Sequence, residues 1–320
     1  MDTALQGLKS WYLHHKRDLP WRETRDPYAI WLSEVILQQT RVNQGLAYYE
    51  RFLRRFPTVA ALADAEEAAV LKAWEGLGYY SRARNLQAAA RQIVQQGHFP
   101  PDVPGLLALR GVGPYTARAI ACFAFDSQVG VLDGNVFRVL ARLYADDTPI
   151  DTPAAKKHFQ AQADDLARLS QDAYTHNQAM MELGATLCTP TRPACPYCPL
   201  RASCAAYSRG LQAQLPTRGK KQAKPRRPFT FYLHIQDQQL ALVQKPEGFW
   251  QGLYTLPYQE LAGPDAPLFS HIFTHFEMQL YLARQAPPPA LHWQWVPLAA
   301  LPAHPMPRAM HRLFQQLQLL

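Results

Sequence analysis

Four cysteines form the pattern with the clearest chemical meaning in this sequence. Cys188, Cys195, Cys198 and Cys204 follow the spacing Cys-x6-Cys-x2-Cys-x5-Cys. Clustered thiolates bind zinc or an iron–sulfur cluster, since both accept four such ligands. Residues 1–18 resemble neither a signal nor a transit peptide, so a reducing compartment without disulfides is expected. The spacing predicts a metal loop over residues 188–204 and leaves zinc and iron–sulfur open, whereas Cys122 is interpreted as a core residue.

Glu34 is a carboxylate in unusually apolar company. It lies in residues 28–39, which we predict to be a buried helix that begins after the Asp26-Pro27 cap signal. At about 100° per residue, Glu34 falls between Ile30 and Trp31 on the helix surface. A carboxyl group there keeps its proton to higher pH, as a general acid requires. The alternative is a glutamate paired with an arginine or a hydroxyl inside the core.

Asp133 is a second candidate for chemistry. It precedes the apolar run that starts at Val136, so its ordinary interpretation is a helix N-cap. The functional interpretation is an anion beside a sugar that develops positive charge, with Asn135 helping to position it. Sequence alone does not bring Glu34 and Asp133 together.

Residues 109–117 contain two glycines between a predicted short helix and a longer one. Gly111 and Gly113 would allow backbone N–H groups to approach an anion such as a DNA phosphate. A plain helix–helix turn is an equally good interpretation of this hairpin.

The elements that must position these residues divide the chain into three parts. Residues 1–207 are predicted to be all helical, residues 208–228 to form a basic linker, and residues 229–320 to form a small α+β domain. Residues 205–228 carry seven basic residues and no acidic one, which accounts for most of the net charge of +8. No apolar run approaches the ~20 residues of a membrane helix. In the last part, strands are predicted over 229–235, 240–243, 273–283 and 291–296, and a helix over 306–319.

Several stretches together resemble the adenine DNA glycosylases of the MutY family. They are Leu19-Pro20-Trp21-Arg22, residues 31–40 around Glu34, Gly76-Leu77-Gly78-Tyr79-Tyr80, the hairpin 109–117, Leu132-Asp133-Gly134-Asn135-Val136, residues 177–184 and the cysteine loop. The resemblance implies a multidomain protein: an all-α helix-hairpin-helix glycosylase domain with an iron–sulfur loop, followed by a small α+β Nudix-like domain. It also implies a 4Fe–4S cluster on the four cysteines and excision of adenine mispaired with 8-oxoguanine or guanine.

The same resemblance implies a role for each site residue. Glu34 would protonate a flipped-out adenine, and Asp133 would stabilise the sugar cation, either by its charge or by transient covalent attachment. Supporting roles are implied for Tyr115 and Asn135, which assist catalysis; for Arg22 and Glu182, which read the adenine; for Gln39 and Tyr80, which wedge into the duplex; and for Gly111 and Gly113, which bind phosphate.

Tyr115 separates two branches of related enzymes. Glycosylases that also cut the strand carry a lysine at this hairpin position, and without that amine no Schiff base with the sugar is expected. The prediction is therefore a monofunctional enzyme. Two alternatives stay open: an endonuclease III-like pyrimidine glycosylase with lyase activity, and a catalytically silent protein that binds damaged DNA.

The C-terminal part resembles the Nudix-like domain of the same family. Phe273, Thr274 and His275 would form a loop that checks the 8-oxoguanine strand, although the family commonly has serine at the position of Thr274. The acidic residues of this part are scattered, so nucleotide hydrolysis with Mg²⁺ is not expected. The expected protein is a cytoplasmic monomer that binds double-stranded DNA and no membrane.

Overall fold

The computed structural model describes residues 2–219 and 223–319. Residues 220–222 of the predicted linker, with Lys220 and Lys221, lie outside the described residues, as do residues 1 and 320. Contacts between Cα atoms divide the chain into two compact units. The first contains residues 1–49 and 92–220, and the second contains residues 50–91 and 221–320. The second unit therefore includes a helical segment from the middle of the chain, which the predicted boundaries 1–207, 208–228 and 229–320 did not anticipate.

Helices make up the chain before residue 210, and among the described residues no strand precedes Arg226. This agrees with the all-helical prediction for the first part. None of the helices in the described ranges is both long and apolar enough to cross a bilayer. The helices are α1 (Asp2–His15), α2 (Pro27–Ile36), α3 (Val42–Arg55), α4 (Val59–Asp64), α5 (Glu67–Ala73), α6 (Ser81–Gln96), α7 (Val103–Leu107), α8 (Pro114–Phe125), α9 (Gly134–Tyr144), α10 (Pro153–Leu169), α11 (Ala173–Thr186) and α12 (Ala205–Arg209).

Helix α2 forms for local reasons and is buried for tertiary ones. The Asp26 carboxylate accepts hydrogen bonds from the backbone N–H groups of Tyr28 and Ala29, and Pro27 occupies the first helical position. Residues 28–36 are all buried. Burial of side chains as large as Trp31 contributes about 1.5–3 kcal/mol each. The helix ends at Ile36 rather than at the predicted Gln39.

The core of the first unit packs α1, α9, α10 and α11 around one another. Phe159, Leu140 and Leu166 are buried at its centre, and three of the clustered cysteines pack against its edge. A second cluster joins α2 to α8 and α11 through Ile30 and Cys122. Because Cys122 is fully buried, the interpretation of this cysteine as a core residue is confirmed.

The second unit contains two small sheets. The strands are β1 (Arg226–Tyr232), β2 (Ile235–Gln236), β3 (Gln239–Gln244), β4 (Tyr254–Thr255), β5 (Tyr258–Gln259), β6 (Phe269–Ile272), β7 (Glu277–Ala283) and β8 (Gln294–Pro297). One sheet has the strand order β5-β1-β7-β6, with β1 parallel to β7, and the other is built on β3, which pairs with β2, β4 and β8. The final helix is α13 (Arg308–Gln316).

Two predicted strands are corrected by the structure. Asp237 and Gln238 form the predicted turn, with φ of 48° and 62°, but it joins β2 to β3 and not β1 to β3. Residues 273–283 are not one strand, because the chain turns at 273–276, where the N–H of Phe273 donates to the carbonyl of Phe276. Alternation of residue types does not reveal such a turn when it contains neither glycine nor proline.

Candidate functional site

A cavity of about 590 Å³ in the first unit collects the residues predicted to do chemistry. Glu34 reaches it from α2, Tyr115 from the start of α8, and Asp133 and Asn135 from the start of α9. A cavity of this size accommodates a small planar molecule such as a nucleobase. The sequence-predicted acid and anion therefore open onto one shared cavity. Arg22 and Gln39 also line this cavity, together with Arg17, Leu37, Leu132, Phe137 and Met181.

Glu34 has an electrostatic environment that favours its protonated form. The side chain is buried, with 6% of the residue exposed. Burial raises the pKa of Glu34 to about 7; the Tyr115 hydroxyl acts in the opposite direction and the nearby charge of Asp133 adds to the increase. The carboxyl group is therefore poised to exchange a proton near neutral pH, as a general acid must.

Tyr115 and Asp133 complete the polar wall of the cavity. The Tyr115 hydroxyl donates to Oε2 of Glu34 at 2.5 Å. Asp133 is the N-cap of α9 and accepts from the N–H of Val136 at 2.7 Å, while Nδ2 of Asn135 donates to its other oxygen at 2.9 Å. Burial raises the pKa of Asp133, although these hydrogen bonds oppose the shift. The cap interpretation of Asp133 is thus correct and leaves the residue on the cavity wall.

Glu182 does not line the cavity itself but binds Arg17 and Arg22, which do. It is fully buried and is not among the cavity-lining residues. Arg17 donates to both of its oxygens, at 2.7 and 2.9 Å, and Arg22 donates to Oε2 at 2.6 Å. Burial opposes its ionisation, but the guanidinium groups outweigh burial and lower the pKa of Glu182. Glu182 therefore holds Arg17 and Arg22 at the cavity; sequence reasoning missed Arg17, which no motif singled out.

The hairpin brings its two glycines to the start of α8. It connects α7 to α8, Gly111 has a φ of 76°, and Gly113 is the N-cap of α8. A side chain at Gly111 would be strained in this left-handed conformation. No acceptor among the described residues takes a hydrogen bond from the N–H of Gly111 or Gly113. Gln39, with a φ of 59°, is exposed after α2 and lines the rim of the cavity.

The structure corrects the prediction that Tyr80 wedges into the duplex. Tyr80 has 6% of its surface exposed, and its hydroxyl donates to the carbonyl of Met306 at 2.8 Å. The Tyr80 ring is therefore buried in the second unit and is not exposed for insertion into DNA. The preceding residue, Tyr79, is 49% exposed and has a φ of 47°. Sequence alone did not show which of the two adjacent tyrosines is buried and which is exposed.

The predicted recognition loop lies between β6 and β7 in the same unit as Tyr79. Thr274 and His275 are exposed, whereas Phe273 stacks on Phe276 with ring centroids 4.6 Å apart. Thr274 Oγ1 lies 3.4 Å from the Tyr79 hydroxyl, to which it donates. The loop therefore presents two polar side chains next to the exposed tyrosine.

The four clustered cysteines line one small apolar cavity and form no disulfide. Arg142 donates from Nη1 to Sγ of Cys188 at 3.3 Å. Burial, with the charges of neighbouring thiols, raises the pKa of Cys198 to about 11. No three His, Cys, Asp or Glu side chains in residues 2–219 and 223–319 converge closely enough to hold a single metal ion. Four thiols on one cavity are the donor set that thiolate-bound metal centres use.

Comparison with known proteins connects this chain to DNA base excision. Residues 32–163 match the HhH-GPD superfamily base excision DNA repair protein family. The chain is 45% identical over 225 residues to the adenine DNA glycosylase of Mus musculus, which covers 67% of this chain and 44% of that relative. It is 33% identical over 258 residues to the adenine DNA glycosylase of Buchnera aphidicola subsp. Baizongia pistaciae, covering 79% and 72%. The chain thus spans less than half the length of its mammalian relative.

Solved structures show the same helical architecture. A thermostable thymine-DNA glycosylase matches with a TM-score of 0.59 and 26% identity, over 64% of this chain and 95% of that one. A non-covalent endonuclease III–DNA complex matches with a TM-score of 0.54 and 21% identity, over 65% and 95%, which shows a shared fold. The family-matched range contains both Glu34 and Asp133.

Proposed function

Because the chain belongs to the adenine DNA glycosylase family, we propose that it removes adenine from DNA by acid-assisted hydrolysis of the N-glycosidic bond. One observation carries this proposal: a buried carboxyl group with a pKa of about 7 shares a cavity with a second carboxylate. Two carboxyl groups that flank the scissile bond, one of them kept protonated by burial, are the standard arrangement for cleaving a bond to a sugar.

In the proposed reaction each residue has one duty. Glu34 gives its proton to a ring nitrogen of the flipped adenine, so that the bonding electrons leave with a neutral base. Asp133 then faces the positive charge on the sugar, where an anion lowers the energy of the transition state. Water adds to the sugar carbon and releases a proton to a carboxylate. Tyr115 and Asn135 hold the two carboxyl groups, while Arg17 and Arg22 contact the base.

The proposed substrate is adenine that lies opposite 8-oxoguanine or guanine. The proposed reaction is monofunctional, which means that the enzyme removes the base and does not cut the strand. The pattern of family resemblance supports the first statement. The presence of Tyr115 where a lyase needs an amine supports the second. Phe273, Thr274 and His275 are proposed to contact the opposite strand, in a Nudix-like domain over residues 229–320.

A direct test is single-turnover cleavage of a duplex with adenine opposite 8-oxoguanine, analysed with and without alkali. Strand breaks that appear only after alkali support the proposal. Breaks without alkali would favour a lyase, and binding without any breaks would favour a damage-binding protein. A duplex with adenine opposite thymine is the control for mispair recognition, and Thr274→Ala should reduce the preference for 8-oxoguanine over guanine.

We also propose that Cys188, Cys195, Cys198 and Cys204 hold a 4Fe–4S cluster. The cluster would link the four cysteine sulfurs through iron–sulfur bonds and so hold residues 188–204 in one loop. The resemblance of the cysteine loop to that of the adenine DNA glycosylase family supports this choice over zinc, and all four thiols line one cavity. Visible absorption with iron and sulfide in equal amounts would support the cluster, and a colourless protein with one zinc per chain would exclude it.

A further inference from the structure

The exposed tyrosine, Tyr79, is held in a backbone conformation that its residue type does not favour. The preceding turn contains Gly76 and Gly78, with φ of 94° and 70°, and Tyr79 follows with 47°. Glycine adopts these angles without strain, but a residue with a Cβ does not. A strained residue persists only where its surroundings hold it.

Arg82, the second residue of α6, contacts this turn together with Trp74, whose Nε1 donates to the carbonyl of Gly78 at 3.0 Å. Nη2 of Arg82 donates to the carbonyls of Leu77 at 3.3 Å and Gly78 at 3.4 Å. Its guanidinium carbon lies 5.2 Å from the Trp74 ring centroid and 5.7 Å from that of Tyr79. One planar group therefore engages the backbone of the turn and two aromatic rings.

We propose that Arg82 is a positioning residue for opening the DNA duplex: it fixes the Tyr79 ring so that the ring can enter the base stack. The inference rests on the proposed function, in which adenine must leave the stack before Glu34 can reach it. A ring fixed before binding loses less conformational freedom when it inserts, so flipping becomes more favourable.

The chemistry of the Arg82 side chain explains why the proposed role requires arginine at this position. Burial lowers the pKa of Arg82 to about 10, which leaves it charged at neutral pH. A lysine would keep the charge but would lose the planar face and the fork of N–H donors. Attraction to phosphate requires only the charge, whereas positioning requires the shape. Lysine at this position therefore separates the two roles.

The test is a double-mutant cycle between Arg82 and Tyr79 with two readouts. The first is the single-turnover rate of adenine excision opposite 8-oxoguanine. The second is the fluorescence of 2-aminopurine in place of that adenine, which rises when the base leaves the stack. Arg82→Met, Arg82→Lys, Tyr79→Ala and both double variants are measured. Arg84→Met is the matched control on the same helix, and thermal unfolding checks that each variant is folded.

We expect Arg82→Met and Arg82→Lys each to lower the excision rate about tenfold and to reduce the fluorescence change, with no further loss once Tyr79 is alanine. The inference would be overturned by any of three results. Arg82→Lys could keep the wild-type excision rate, the loss from an Arg82 substitution could add to the loss from Tyr79→Ala, or Tyr79→Ala could show the same fluorescence change as the wild type. Fluorescence does not require excision. A wild-type protein that unstacks 2-aminopurine without excising adenine would therefore refute the proposed function. The effect of the Arg82 substitutions on unstacking could still be measured in that case.

Discussion

Two buried glutamates in the same unit of this protein have opposite protonation tendencies. Glu34 and Glu182 have 6% and 0% of their surfaces exposed. Burial raises the pKa of Glu34 to about 7, whereas the pKa of Glu182 lies below its usual value despite burial. The difference lies in their partners, since Glu34 accepts from one neutral hydroxyl and Glu182 from two guanidinium groups.

Burial alone therefore does not determine what a carboxylate can do. With a neutral partner, the desolvated group holds a proton that it can give away near neutral pH. With charged partners, it stays an anion and serves to fix those partners in place. Glu34 has the properties of an acid and Glu182 those of an anchor for Arg17 and Arg22. The following substitutions test that distinction.

The largest expected effect is on the reaction rate of Glu34→Gln. Glutamine keeps the shape of the side chain but cannot donate the proton, so we expect adenine excision to slow by about a thousandfold or more. Single-turnover kinetics at pH 7 measure the loss. Glu50→Gln, at an exposed position, is the matched control and should keep the wild-type rate. A loss smaller than tenfold in Glu34→Gln would remove this residue from the role of acid.

Glu182→Gln should instead weaken the fold. Removing the anion leaves the buried Arg22 guanidinium without its counter-charge, which should reduce the free energy of unfolding by about 3–5 kcal/mol. Urea unfolding at pH 7 measures this quantity. The comparison between the two glutamates fails if Glu182→Gln is as stable as the wild type.

The stability of the wild type should depend on pH through Glu34. Its pKa is higher in the folded protein, about 7, than the value of 4.5 for an unperturbed glutamate. Folding therefore favours the protonated form. The associated stabilisation is fully present below pH 4.5 and is lost as the pH rises through 7, by roughly 3 kcal/mol.

Urea unfolding of the wild type and of Glu34→Gln between pH 4.5 and 8.5 isolates this contribution. The variant, which has no proton to lose, should become the more stable protein at the alkaline end. Parallel stability curves for the two proteins would contradict the raised pKa.

The smallest effect is expected for Tyr115→Phe. The Tyr115 hydroxyl lowers the pKa of Glu34, so its removal should raise that pKa further and move the alkaline limb of the rate profile to higher pH. Loss of one hydrogen bond to the acid should slow excision about threefold to tenfold at pH 6. A pH–rate profile of the variant gives both values, and an alkaline limb at lower pH would show that the hydroxyl acts differently.

Local signals predicted much of the fold. The Asp26-Pro27 cap, the hairpin around Gly111 and the N-cap at Asp133 all form as the residue types indicate, because each depends on neighbours within a few positions. The turn at 273–276 and the exposed face of Tyr79 were not predictable in this way. The turn has no glycine or proline to mark it. The Tyr79 ring follows two glycines with positive φ, and no regular helix or strand periodicity gives the direction in which such a ring projects.

The residue types, caps and cysteine spacing were enough to indicate a helical protein with an acid, an anion and a thiolate site. They could not show that Glu34 and Tyr115, 81 positions apart, form a hydrogen bond, or that the pKa of Glu34 is raised while that of Glu182 is lowered. A protonation state depends on desolvation and on which groups lie within a few ångströms. For these residues that surrounding is assembled from helices distant in the chain, so only the folded protein decides it.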